Sequence, residues 1–221
     1  MKAFGTDYDG VIINIEAQKA KAFGKLINKT WGVNQKEARD FWIEKGGTSR
    51  KYKFDYFYEK AFKKQLSDDE YKRIEIEFSR ILKNEFYPRV KLLDGALELL
   101  KFCRENFDHT FVSSGVTMEE IKYLVELNGL SNYFDLTLGT DFKFISKNEH
   151  FNEIKRIWRP DEVYFLADGL EDMKIAKSFK FYSIGITTNH SKKDLENAGA
   201  SEVVDNLSQA TLSIKKLVAN S

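Results

Sequence analysis

The chain has one cysteine, no surplus of either charge and no long apolar run in its 221 residues. A lone Cys103 cannot close an internal disulfide, and its place in a helical pattern over 96–105 reads as a small core residue. Lys and Arg total 35 against 34 Asp and Glu, a formal net charge of +1. That balance leaves no electrostatic footprint for nucleic acid or an anionic membrane surface. Lacking a long apolar run, the chain has no candidate transmembrane helix. A first strand that starts at Ala3 leaves no room for a signal peptide, so the expected location is cytoplasmic. Repeats and low-complexity stretches are absent as well. Aromatic residues, by contrast, make up 14% of the chain, with 18 Phe, which supports a well-filled core. The length suffices for one large domain, or for a core plus a smaller one.

Asp7 and Asp9 stand two residues apart directly after a short apolar run, in Ala3-Phe4-Gly5-Thr6-Asp7-Tyr8-Asp9-Gly10-Val11. A strand over 3–6 delivers both carboxylates to its carboxyl end, where open α/β sheets bind ligands. Alternation along extended backbone puts i and i+2 on one side, so the two acids converge. Gly10 permits a tight turn and leaves room beside it for a bulky anion. Crowded acids are unfavourable unless something uses them, and the usual compensator is a cation.

Further short apolar runs at 110–112, 136–138, 163–167 and 182–187 read as buried strands separated by helical patterns. This alternation predicts an α/β fold with a doubly wound parallel sheet. Thr117 to Glu120 resembles a capping box, Gly129 suits the end of the helix that follows, and Asp94-Gly95 opens the helix before the second strand. Between the first and second strands, 15–89 shows helical periodicity and no convincing strand. Start signals appear at Asn34 to Glu37 and Ser67 to Glu70, with apolar stripes that include Phe41, Trp42, Phe54, Phe57 and Phe78. A block this long exceeds a simple crossover. The expectation is an all-α domain over 15–89 inserted into a core of 1–14 and 90–221. Gly46-Gly47-Thr48-Ser49-Arg50 breaks the helical pattern of that block and is its expected functional loop, with Gly47 letting a ligand approach and Arg50 gripping an anion.

Four strand ends carry polar residues suited to one job. They are Asp7 with Asp9, Ser113-Ser114-Gly115, a lysine within Lys143 to Lys147, and Asp168 with Asp172. In order and placement these resemble the four motifs of the haloacid dehalogenase-like superfamily, in particular its magnesium-dependent phosphotransferases with a helical cap inserted after the first motif. The resemblance implies that Asp7 attacks phosphorus to form an aspartyl-phosphate, while Asp9 protonates the leaving group and then activates water. It implies Mg²⁺ held by Asp7, the Asp9 carbonyl and Asp168, with Asp172 acting through a metal-bound water or orienting the others. Lys147, or Lys143 as the alternative, would offset charge, and the Ser113 hydroxyl and Ser114 amide would bind phosphoryl oxygens.

The resemblance further implies a phosphatase of a small phosphorylated metabolite, of the phosphoglycolate or sugar phosphate class, with a cap that excludes water. Lys45 to Arg50 looks like the Lys-Gly-x-Ser-Arg segment of β-phosphoglucomutases with one extra residue, and Val11 leans the same way. The cap histidine of that group is absent, and Lys19 holds its place. A non-catalytic regulator that binds a phosphorylated ligand is the alternative of a different class. A C–P hydrolase would need a cap lysine of lowered pKa, for which Lys45 or Lys51 could serve. The oligomeric state stays open.

Overall fold

The computed structural model describes residues 1–46, 48–140 and 144–219. The chain divides into two compact units, Met1–Asn14 with Lys91–Ser221, and Ile15–Val90. Among the described residues no helix is long and apolar enough to cross a membrane.

The first unit is built on a parallel sheet of β1 (Lys2–Thr6), β2 (His109–Thr117), β3 (Leu136–Thr140), β4 (Glu162–Ala167), β5 (Tyr182–Ile186) and β6 (Glu202–Val204). The spatial order is β3-β2-β1-β4-β5-β6. Helices α5 (Ala96–Asn106), α6 (Met118–Leu127), α7 (Lys147–Trp158), α8 (Leu170–Ser178), α9 (Lys192–Ala198) and α10 (Leu207–Ala219) carry the crossovers and the chain end. This is the doubly wound α/β sheet expected from the strand–helix alternation. β6 was not anticipated, because three residues with only Val204 buried make no apolar run. The strand order reverses direction between β1 and β4, and such a switch point opens a crevice at the strands' carboxyl ends. Thr6 pairs with Leu166, so the residues that leave β1 and β4 emerge side by side.

Aromatic packing fixes that register. The Phe111 and Phe165 rings stack with centroids 6.0 Å apart, and Phe151 of α7 meets Phe165 edge-on at 4.8 Å. Gly5 is needed beneath them, since a Cβ there would lie 2.1 Å from the tip of the Phe111 ring. Cys103 is fully buried on α5, as its helical setting suggests, and burial pushes its thiol pKa up.

The second unit consists of α1 (Glu16–Trp31), α2 (Gln35–Glu44), α3 (Arg50–Phe62) and α4 (Asp68–Ile81). Their starts follow the local signals: the Asn34 side chain accepts from the Lys36 and Glu37 amides, and Ser67 with Glu70 forms a complete capping box. An aromatic core binds the helices. Phe23 lies 4.8 Å from Trp42 and 5.1 Å from Phe54, and Phe54 lies 5.7 Å from Phe78. Burying each such ring contributes about 1.5–3 kcal/mol.

Two lysines are buried in this unit, Lys19 of α1 and Lys53 of α3, the latter at 3% exposure. Burial is the largest influence on its ammonium; with Lys19 and Arg50 nearby it outweighs Glu16 and brings the pKa down from 10.5 to about 8. A folded-state pKa below the unfolded one favours folding fully only above 10.5, and that gain is lost as pH falls through 8. Lys53→Met is therefore expected to stabilise the protein by about 1–3 kcal/mol at pH 7. In urea melts the advantage of the variant should shrink between pH 8 and 10, and a pH-independent difference would contradict this account.

Candidate active site

β1 ends at Thr6 and the pairing continues one residue further, with the Asp7 amide donating to the Leu166 carbonyl at 2.9 Å. The turn that follows is anchored by the residue between the two acids. Tyr8 is buried, its hydroxyl donating to the Leu124 carbonyl at 3.0 Å and accepting from Asn128 Nδ2 at 3.1 Å. With Tyr8 turned inward, Asp7 and Asp9 stay only partly buried. Backbone bonds from Ile12 and Ile13 to the Tyr8 carbonyl, and from Gly10 to Ile13, close the turn. Gly10 has φ +83°, and a Cβ on it would lie 2.2 Å from Asp168 Oδ2. The space beside Gly10, expected to admit an anion, is thus filled by the carboxylate from the end of β4.

The first and last acid pairs meet at the switch point. Lys147 is the first residue of α7, whose start is set by a capping box of Ser146 and Glu149. Its Nζ lies 2.9 Å from Asp7 Oδ2 and 2.6 Å from Asp172 Oδ2. Burial, the largest influence on Lys147, is overcome by Asp172 and Asp7, so its pKa is raised. The other Asp7 oxygen accepts from the Tyr8 amide at 2.7 Å. Asp168 pairs with no cation among the described residues; its Oδ2 accepts from Asn189 Nδ2 at 2.6 Å. Burial first, and then Asp7, push the Asp168 pKa up. Burial likewise raises Asp172, against the pull of Lys147. Of the three carboxylates gathered here, those of Asp7 and Asp172 share one ammonium and that of Asp168 has an amide instead.

That imbalance is the test of fit for a divalent cation. Hard oxygen donors with uncompensated negative charge suit Mg²⁺. Among the described residues no group of three or more His, Cys, Asp or Glu side chains is arranged to hold a metal ion. Asp172 presents an oxygen to Lys147 instead. Asp7 and Asp168, from the adjacent ends of β1 and β4, supply hard oxygen donors of the kind a divalent cation takes.

Ser113 and Ser114 are both buried within β2, which runs on to Thr117 rather than stopping before Ser113, and its pairing with β3 shifts register between Ser113 and Thr117. His150 of α7, also fully buried, joins this corner. Its Nε2 lies 3.0 Å from the Gly139 carbonyl, which can only accept, so Nε2 carries the hydrogen. Its Nδ1 lies 2.8 Å from Ser113 Oγ, a hydrogen bond between two buried groups. The Ser114 oxygen accepts from the Val116 amide at 3.4 Å. His150 is one helical turn beyond Lys147, so the contact ties the start of α7 to two strand ends.

Of the remaining expected residues, Arg50 belongs to the helical unit, where its Nη1 pairs with Glu75 Oε1 at 2.7 Å. Its guanidinium also lies 5.2 Å from the Phe78 ring centroid. Gly47 and Lys143 lie outside the described residues. The lysines considered for imine chemistry are neutralised at the surface: Lys45 pairs with Glu44, which raises its pKa, and Lys51 pairs with Asp55. His150 and Asn189 were not anticipated. Asn189 had a usable signal, as a polar residue just beyond the end of β5, while nothing local marks His150.

Ser113→Ala should cost about 1–3 kcal/mol, because a buried ring nitrogen of His150 loses its hydrogen-bond partner. Chemical denaturation measures this, and an unchanged midpoint would show that the pair is not the bond described.

The family model described as haloacid dehalogenase-like hydrolase matches residues 1–180. No curated protein sequence matches the chain. Solved structures of the same fold include a predicted phosphatase from Clostridium acetobutylicum, 22% identical with a TM-score of 0.80, over 97% of this chain and 98% of that one. A predicted phosphoglycolate phosphatase from Haemophilus somnus is 16% identical with a TM-score of 0.79, over 97% and 98% of the two chains. A proposed β-phosphoglucomutase from Thermotoga maritima is 20% identical with a TM-score of 0.73, over 98% and 99%. With paired strand-end acids, a bridging lysine and a matching family model over most of its length, this chain belongs to the haloacid dehalogenase-like hydrolases.

Proposed function

We propose that the protein is a Mg²⁺-dependent phosphatase of a small phosphorylated metabolite, of the phosphoglycolate or sugar phosphate class, working through an aspartyl-phosphate. The observation that carries this reading is the ion pair of Lys147 with both Asp7 and Asp172 beside the uncompensated Asp168. An ammonium so placed orients Asp7 for in-line attack while drawing charge from the phosphoryl group.

In the first step a carboxylate oxygen of Asp7 bonds to phosphorus, and the ester P–O bond breaks. Asp9, two residues on, gives its proton to the departing alkoxide. In the second step Asp9 takes a proton from water, whose oxygen attacks phosphorus and releases inorganic phosphate and the Asp7 carboxylate. The Ser114 backbone amide receives a phosphoryl oxygen, and Ser113 with His150 holds that strand end in place. Asp172 keeps Lys147 oriented. Asp7, the Asp9 carbonyl and Asp168 would hold Mg²⁺, which supplies neutralisation of the phosphoryl oxygens' charge. The helical unit serves as the substrate-selecting cap, and the compartment is cytoplasmic.

Phosphotransfer of the β-phosphoglucomutase kind is the second reading, favoured by the Lys45 to Arg50 segment. It is tested by isomerisation of β-glucose 1-phosphate.

Hydrolysis of p-nitrophenyl phosphate should require Mg²⁺ and fall by about a thousandfold or more in Asp7→Asn, whose fold is checked by circular dichroism. Inactivity of the wild type with every divalent metal would favour a non-catalytic ligand-binding role.

A further inference from the structure

Of Asp7, Asp168 and Asp172, only Asp168 is held by a neutral side chain. Lys147 Nζ faces the other two, whereas Asp168 Oδ2 accepts from Asn189 Nδ2 at 2.6 Å. Asn189 lies in the segment between β5 and α9, and both ends of that segment are pinned. The Thr187 amide donates to the Val204 carbonyl of β6 at 3.1 Å, and Ser191 caps α9 by accepting from the Asp194 amide at 3.2 Å. Gly185 of β5 pairs with Ala167, the residue before Asp168, so the segment leaves the sheet close to that acid. Asn189 is exposed and Asp168 is 7% exposed, so the amide reaches inward from the rim.

This bond gives the two oxygens of Asp168 different settings. Oδ2 is taken by Asn189 and lies against Gly10, where a Cβ would come within 2.2 Å of it. Oδ1 accepts no hydrogen bond among the described residues. No side-chain oxygen among them is both buried and unpartnered, so Oδ1 is open to solvent. The last torsion of an aspartate is broad and roughly two-fold, and left alone it exchanges its oxygens. A donor on one oxygen fixes which of them faces outward. A lysine at 189 would also orient the carboxylate, but it would cancel the charge. An amide orients and leaves the charge in place, as a site that must attract a cation requires.

We propose that Asn189 is a positioning residue for the cation site, holding Oδ2 of Asp168 so that Oδ1 is presented to a divalent cation. The role rests on the metal part of the reading above and not on hydrolysis. It brings the segment after β5, which carries none of the expected site residues, into the site.

Calorimetric titration of Mg²⁺ into wild type and Asn189→Leu tests this, together with metal-free urea melts of both proteins. Leucine keeps the size of the side chain and removes its donor. The dissociation constant should rise about tenfold to a hundredfold, the range found for groups that orient metal ligands. The metal-free midpoint should stay close to the wild-type value, because water hydrates the carboxylate in place of an exposed amide without fixing its orientation. Equal dissociation constants would overturn the proposal and leave the metal site standing; no Mg²⁺ binding by the wild type would overturn both. Weaker binding that comes with a large fall in the metal-free midpoint would make the bond a structural one, and so would also overturn the proposal. If neither protein hydrolyses p-nitrophenyl phosphate but the affinities differ as stated, the phosphatase reading fails and the positioning role stands.

Discussion

Negative charge gathered at one edge of the sheet is the constraint on which the rest of the structure turns. β1 and β4 are adjacent and parallel, and each is followed directly by an aspartate. α8 adds a third carboxylate from its first turn, and α7 adds a single lysine. Left to themselves, buried like charges would drive one another to bind protons. The fold keeps them together by several devices. Gly10 gives up a side chain so that Asp168 can fit, Tyr8 buries itself so that its neighbours stay at the rim, and a capping box starts α7 at Lys147. Local rules of turn, cap and packing are each bent toward holding an arrangement that stability alone would not choose.

The same economy recurs in the helical unit on a smaller scale. Its aromatic core is consistent and well filled, apart from one lysine laid across a tryptophan face. In both units the charged groups that are hardest to justify energetically are buried, whereas the many surface ion pairs contribute little. Ion pairs such as Arg80 with Glu77 and Arg156 with Glu153 join an exposed arginine to a partly buried glutamate three residues earlier on the same helix.

Much of the doubly wound sheet was legible because buried parallel strands are short apolar runs, and the runs beginning at Ala3 and Val163 stand out from their surroundings. The helix starts at Asn34, Ser67 and Thr117 were legible because caps are local, three residues wide. β6 was not, since its brevity and half-exposure erase the pattern. At the rim, Asp7 was readable from its alternation with Asp9 and its place after a strand. The partnership of Ser113 with His150 spans 37 residues and depends on how α7 lies against β2, which periodicity does not encode. Asn189 reaches Asp168 across 21 residues for the same reason. The burial of Lys53 was invisible because its segment, Tyr52-Lys53-Phe54-Asp55, has the composition of any amphipathic helix, and its contact with the Trp42 ring depends on how α3 lies against α2.

If the carboxylates at the switch point are held together for a divalent cation, that cation must bind the folded chain and stabilise it. The most direct measurement is the thermal midpoint of wild type and Asp168→Asn as Mg²⁺ is raised at constant ionic strength. The account predicts a saturable rise in the wild type and little or none in the variant. Identical responses in the two proteins, or no response to Mg²⁺ in the wild type, would contradict it.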